Sequence, residues 1–192
     1  RNAKRDDAWV NRLISFDISC IFTLAASRMA QKFPILFLLT ALEIVCRHLL
    51  EKKKINARSI HQSTKAALPA LVRAGGGKIV NIASGTFYYG PPGLSHYTAS
   101  KAAVIGLTRG HARELGEKNI QINAIAVGLT ESSSIRDNKK WDRARAPTVD
   151  SRSIKREMVP EDLLGTLIFL CTSDSDFITG QTINVDGGKV NL

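Results

Sequence analysis

Tyr97 and Lys101 stand four residues apart, a spacing that puts both side chains on one face of a helix. An ammonium beside a phenol favours the phenolate and lowers a pKa that is about 10 when unperturbed. A tyrosine so placed can exchange a proton near neutral pH. Ser84 ends a short β-branched run 13 residues earlier, where a hydroxyl could hold a reacting oxygen by a hydrogen bond. Asn56 lies a further 28 residues upstream, at the expected start of a helix. Each has an ordinary explanation on its own: Tyr-x-x-x-Lys as a surface pair, Asn56 as a helix N-cap, Ser84 as a turn residue, Lys101 as a solvated charge. Together they could move a proton while an oxygen changes charge.

The elements that must position these groups are legible from Asn56 onward. Ile60, Thr64, Ala67, Leu68 and Leu71 recur at helical spacing and predict a helix over about Ala57–Arg73. Gly75, Gly76 and Gly77 follow the helix and precede a strand, the reverse of the order of a phosphate-binding loop, and fit a helix C-cap. Lys78–Ala83 reads as a buried parallel strand, closed by Ser84-Gly85. A loop with Gly90, Pro91, Pro92 and Gly93 leads into a helix over about Tyr97–Gly116, and Ile120–Val127 is a second buried strand ending at Gly128. Strand, helix and strand at this length make a parallel crossover. Residues 129–158 are polar with little periodicity, and are expected to be either a binding lid or disordered. Pro160 opens a helix over about Glu161–Cys171, and Thr182–Val185 is a last short strand before Asp186-Gly187-Gly188.

In this order and spacing Asn56, Ser84, Tyr97 and Lys101 resemble the catalytic tetrad of the short-chain dehydrogenase/reductase family. The surrounding text is similar too. Gly77-Lys-Ile-Val-Asn-Ile-Ala-Ser84 looks like the family's fifth strand, and Tyr97-Thr-Ala-Ser-Lys101-Ala-Ala-Val-Ile-Gly-Leu-Thr-Arg109 like its active-site helix. Ile122-Asn-Ala-Ile-Ala126 resembles the sixth strand, and Ile178-Thr-Gly-Gln-Thr-Ile-Asn-Val-Asp-Gly-Gly188 the C-terminal strand signature. The likeness covers residues 56–192, about 70% of the chain.

The resemblance implies an α/β fold, a Rossmann-like doubly wound parallel sheet incomplete at the N-terminus. It implies a small-molecule secondary alcohol or ketone as substrate, NAD or NADP as cofactor, and a homodimer or homotetramer; the three cysteines, with no close pair, fit a reducing, cytoplasmic compartment. Tyr97 would exchange the proton, Lys101 would lower its pKa and bond the nicotinamide ribose, Ser84 would hold the reacting oxygen, and Asn56 would fix the helix and a relaying water. The family's Pro-Gly after the sixth strand is Val127-Gly128 here, so Val127, Gly128, Leu129 and Thr130 are the expected backbone and hydroxyl contacts to the cofactor, with Ser132 an alternative to Thr130. Substrate contacts are expected from Ser84 and the loop after it, Gly85, Thr86, Phe87, Tyr88 and Tyr89, together with His96, and with Trp141 on the lid.

The N-terminal part departs from the pattern. All 14 glycines lie at or after Gly75, so the Gly-rich turn that lets a backbone approach a pyrophosphate has no counterpart in residues 1–74. A complete relative would need on the order of 110 residues before Asn56. Residues 1–55 are expected to be an atypical helical segment replacing the nucleotide-binding half, with helices at Trp9–Lys32 and Ile35–Lys53. Two functions therefore compete: an active oxidoreductase, or a truncated and inactive relative that keeps only assembly surfaces.

Composition excludes other classes. The net charge is +10, but residues 1–78 hold 14 Lys+Arg against 5 Asp+Glu and the rest 13 against 12. The excess is scattered without aromatic interleaving, so no nucleic-acid site is expected. Cys20, Cys46 and Cys171 form no close pair, and His48, His61, His96 and His111 have no metal-ligand spacing, so neither disulfides nor a metal are expected. The apolar stretch Phe33–Cys46 contains Glu43 and is short for a membrane span. The charged residues ahead of the first apolar run make a poor signal peptide, and no targeting segment is expected.

Overall fold

The computed structural model describes residues 51–191. The expected helix Trp9–Lys32, most of Ile35–Lys53, the apolar stretch Phe33–Cys46, and Cys20, Cys46 and His48 lie outside the described residues.

Helix α1 runs from Glu51 to Arg73. Among the described residues it is already helical at Glu51, six residues before the start that the apolar periodicity indicates. Asn56 is therefore inside the helix and is not its N-cap. Gly75 and Gly76 then reverse the chain at φ 81° and 135°, with the Gly76 N–H donating to Leu71 O at 3.0 Å. A Cβ at Gly76 would collide with Asn119, so this C-cap is closed to other residues.

Strand β1 (Gly77–Ser84) leads through a short helix α2 (Thr86–Tyr89) into α3 (Ser95–Leu115), then a 3₁₀ turn and β2 (Ile120–Val127). Helices α4 (Ser133–Arg136) and α5 (Asp142–Asp150) precede a 3₁₀ turn at Pro160–Leu163, helix α6 (Leu164–Cys171) and strand β3 (Thr182–Val185). The three strands are parallel in the order β1-β2-β3, with Ile79 opposite Ile122, Ser84 opposite Val127, and Val127 opposite Val185.

The period-2 alternation of the strands divides the core. Ile79, Ile120 and Ile122 pack with Ala67, Leu71, Ala112 and Leu115 of α1 and α3. Val80, Ile125 and Val127 pack with Leu163, Leu167, Leu170 and Cys171 on the opposite face. Each such fully buried aliphatic contributes roughly 1.5–3 kcal/mol, against about 1 kcal/mol for a buried hydrogen bond such as Asn81 Nδ2 to Thr108 Oγ1 at 2.9 Å. Burial thus holds the layers together, and the polar pair fixes their register. Cys171 belongs to this packing: burial pushes its thiol up to about 12, an inert state.

Toward the C-terminal ends of the strands the core narrows. Ala83, Ala124 and Ala126 face Ile60, Val104 and Ile105, so small residues let α3 lie close to the sheet where it carries Tyr97 and Lys101.

Residues 129–158 are ordered into helices. The organising side chains are two arginines that bond backbone carbonyls, a device that hydrophobic periodicity does not register. Arg145 Nη2 donates to Ile135 O at 2.8 Å and to Arg136 O at 3.0 Å, and Nε lies 3.2 Å from Glu131 Oε1. Arg152 donates to Leu129 O at 2.6 Å and Arg156 O at 2.8 Å. Beyond them Arg156 grips Asp162 with two bonds of 2.7 and 2.6 Å, and this guanidinium is the main reason the Asp162 carboxyl falls to about 2.

Between α1 and α3, His61 and His111 stack with centroids 5.4 Å apart, and His61 Nδ1 lies 3.1 Å from His111 Nε2. Burial lowers the His111 pKa, the nearby Glu114 opposes, and His61 lowers it further. A histidine depressed in the fold is protonated preferentially in the unfolded chain, so its contribution is complete above the unfolded value of about 6.5 and is lost as pH falls below it. Thermal unfolding should therefore show a lower Tm at about pH 5.5 than at about pH 7.5, with a weaker pH dependence in His111→Gln. Identical pH profiles for the two proteins would refute this assignment.

Among the described residues, no helix is long and apolar enough to cross a membrane, and no group of three or more His, Cys, Asp or Glu is placed to hold a metal ion.

Candidate active site

Because the strands are parallel and in register, Ser84, Val127 and Val185 end in one row, and the loops that follow them meet at one edge of the sheet. In open α/β sheets this edge is where ligands bind. The loops are stitched together by backbone bonds: Gly85 N–H donates to Val127 O at 3.1 Å and Gly128 N–H to Val185 O at 2.9 Å.

Ser84 is buried, 7% exposed, and its Oγ accepts two hydrogen bonds from Thr86, one from the backbone N–H at 3.3 Å and one from Oγ1 at 3.1 Å. Two acceptances occupy the lone pairs of a hydroxyl. The Ser84 O–H is thereby left to donate, as holding a carbonyl or alkoxide oxygen requires. Thr86 is expected from sequence only as one of the loop residues near the substrate; its bonds to Ser84 are not read there, since Ser-x-Thr is common in turns.

Tyr97 and Lys101 are both half-buried on the first turns of α3. The Lys101 ammonium lies 5.8 Å from the centroid of the Tyr97 ring and donates to Ile82 O, two residues before Ser84, at 3.1 Å. That bond anchors the lysine to the strand that carries the serine, and so brings Ser84, Tyr97 and Lys101 to the same end of the fold. Asn56 is brought there too, by a different contact. Its Nδ2 donates to Ser100 Oγ at 3.0 Å, and Ser100 Oγ donates to Tyr97 O at 2.7 Å. Asn56 ties α1 to the turn of α3 between the tyrosine and the lysine, with Ser100, a residue that spacing did not single out, as the link.

The remaining expected residues separate by environment. Tyr88 packs against the cluster of Ile60, Val104 and Ile105 and edge-on to Phe87 at 5.0 Å; burial raises its pKa, with Arg109 opposing. Tyr89 is 42% exposed, and His96 is half-buried on the first turn of α3. Val127 faces the α6 core. Leu129 offers its carbonyl to Arg152. Thr130 is 2% exposed and donates its hydroxyl to Gly128 O at 3.1 Å. Gly128 has a packing reason of its own, since a Cβ there would stand 2.8 Å from Asp186 Cβ.

The donor set fits the nicotinamide end of a dinucleotide: an ammonium at Lys101 anchored on a strand end, a donating hydroxyl at Ser84, and the phenol of Tyr97, all at the carboxyl edge of a parallel sheet. Residues that would hold a pyrophosphate or adenine are not recognisable among those described.

Comparisons with known proteins agree with this geometry. Residues 41–189 match the family model described as enoyl-(acyl carrier protein) reductase. The chain is 35% identical over 136 residues to the 3-oxoacyl-[acyl-carrier-protein] reductase FabG of Thermotoga maritima, covering 71% of this chain and 54% of that protein. It is 38% identical over 139 residues to dehydrogenase/reductase SDR family member 4 of Bos taurus, covering 71% of this chain and 49% of the relative. The chain thus spans about half the length of these relatives. An Agrobacterium tumefaciens structure assigned as a 2-deoxy-D-gluconate 3-dehydrogenase with bound NADP superposes with a TM-score of 0.70 at 32% identity, covering 80% of this chain and 66% of that one. With its parallel sheet, its Ser84, Tyr97 and Lys101 at one edge, and these matches, the chain belongs to the short-chain dehydrogenase/reductase family.

Proposed function

We propose that this chain carries the catalytic half of an NAD(P)-dependent oxidoreductase that interconverts a secondary alcohol and a ketone. The observation that carries this reading is the Lys101 ammonium held on Ile82 O at 3.1 Å and 5.8 Å from the Tyr97 ring centroid, beside a serine whose hydroxyl is turned to donate. In the oxidative direction Tyr97 takes the alcohol proton at its phenol oxygen while Ser84 donates to the same substrate oxygen. Lys101 favours the phenolate by its charge. Asn56, through Ser100, keeps the tyrosine turn of α3 in place. The nicotinamide supplies the hydride chemistry, and Lys101 and Tyr97 are the residues that would meet its ribose. Relatives with NADP bound and relatives named as reductases and dehydrogenases support the class, without a choice between NAD and NADP.

Titration of the purified chain with NADH and NADPH, followed by nicotinamide fluorescence, tests the reading. A saturable signal is expected for one of them, with Kd raised about tenfold in Lys101→Ala through loss of a charge-assisted hydrogen bond. No binding at millimolar cofactor would sink the oxidoreductase reading for this chain and favour the truncated, inactive alternative.

A further inference from the structure

The loop after β3 carries a cation that the reaction just proposed does not use. Asp186 is 3% exposed, and its carboxylate is spent on the loop. Oδ1 accepts the N–H groups of Gly188 at 2.9 Å and Lys189 at 3.0 Å, and Oδ2 accepts Val190 N–H at 3.1 Å and Asn184 Nδ2 at 2.9 Å. This fixes a turn in which Gly187 and Gly188 take φ of 73° and 76°, and the Lys189 side chain leaves it to lie with Nζ 4.2 Å from the centroid of the Tyr89 ring. Among the described residues no carboxylate comes within ion-pair distance of that ammonium. Arg152, 3% exposed, stands behind the turn, where a Cβ on Gly187 would be 3.1 Å from its Cδ. It donates to the uncharged carbonyls of Leu129 and Arg156. The corner therefore holds two cations and one anion whose oxygens are all engaged.

That corner adjoins the reacting groups. A Cβ on Gly85, the residue after Ser84, would lie 3.8 Å from Tyr89 Cε1 and 3.7 Å from Asp186 Oδ2, so one aromatic ring separates the ammonium from the serine's strand end. Tyr89 is 42% exposed, which leaves the ring and its cation accessible. Burial and the Arg152 charge both lower the Lys189 pKa, with Asp186 opposing, and an arriving anion would add to that opposition by favouring the charged form.

Resting on the oxidoreductase reading, we propose that Lys189 determines specificity by receiving a carboxylate of the substrate, so that oxo acids and hydroxy acids are taken in preference to neutral ketones and alcohols. A single available ammonium, with the guanidinium behind it already bonded, matches a monoanion rather than a phosphate dianion. A purely structural Lys189, pinning the C-terminal turn on Tyr89, predicts no dependence on substrate charge.

The test uses the full chain with pyruvate, acetoacetate and levulinate, each against its amide, which keeps the carbon skeleton and removes the charge. Turnover is read by NADPH or NADH oxidation, and binding of the same compounds by calorimetry with and without cofactor. For the best pair, the acid is expected to show kcat/KM and affinity about tenfold above the amide. Lys189→Met should erase that preference by raising KM for the acid about tenfold with kcat nearly unchanged, and Lys189→Arg should restore it. Equal handling of acids and amides, or a Lys189→Met effect of the same size on both, overturns the proposal. Acid-selective binding without any turnover would instead sink the oxidoreductase reading and leave the carboxylate site standing.

Discussion

Tyr97→Phe is expected to lower kcat by about a thousandfold, the scale on which a positioned acid or base contributes, while the cofactor titration shifts by less than threefold or so. The phenol oxygen is the atom proposed to exchange a proton with the substrate, and the other candidates are engaged elsewhere: Ser84 is already committed as a donor by its two bonds from Thr86, Tyr88 packs against a core cluster, and Tyr89 lies under Lys189. The change should cost the fold little, because Tyr97 is half-buried rather than in the core and Phe keeps the ring over which Lys101 lies. Steady-state rates, the cofactor titration and a melting curve on the same preparation separate these effects. Turnover within tenfold of wild type would remove Tyr97 from the chemistry, and a collapse of melting temperature would show instead that the hydroxyl holds the fold.

How much of this was readable in advance depends on what kind of information each feature stores. The strands were legible almost to the residue: Lys78–Ala83 is observed as Gly77–Ser84, and Ile120–Val127 and Thr182–Val185 coincide. Buried parallel strands are uninterrupted β-branched runs bounded by glycine, and both signals are local. The order of Asn56, Ser84, Tyr97 and Lys101 was legible because spacing within α3 and along one crossover survives folding unchanged. What sequence could not show were contacts between elements. Asn56 reads as a helix start, yet it lies inside α1 and acts through Ser100, 44 residues away. The order in residues 129–158 comes from Arg145 and Arg152 bonding carbonyls up to 23 residues distant, which neither periodicity nor composition records. Lys189 follows the last strand with no pattern around it, and only the turn built by Asp186 brings it over Tyr89.

Ser84→Ala carries the second large effect, an expected loss of about a hundredfold in kcat, the lower end of what removing one donor to a developing oxyanion costs. The case rests on direction rather than proximity. A serine hydroxyl can donate or accept, and a site that must stabilise negative charge on oxygen needs the donating form. Here Thr86 supplies both its N–H and its hydroxyl to Ser84 Oγ, so the choice is made before substrate arrives and costs no reorganisation during the reaction. Two consequences separate this from a packing role. Thr86→Val, which removes one of the two donors and keeps the side-chain shape, should lower kcat by about three- to tenfold, since the remaining N–H at 3.3 Å still biases the hydroxyl. Combined with Ser84→Ala it should add almost nothing, because an orienting group has no effect once the group it orients is gone. Additive losses in that cycle, measured with saturating cofactor, would mean that Thr86 acts on the substrate or the fold directly and that the serine's direction is not set as its two bonds indicate.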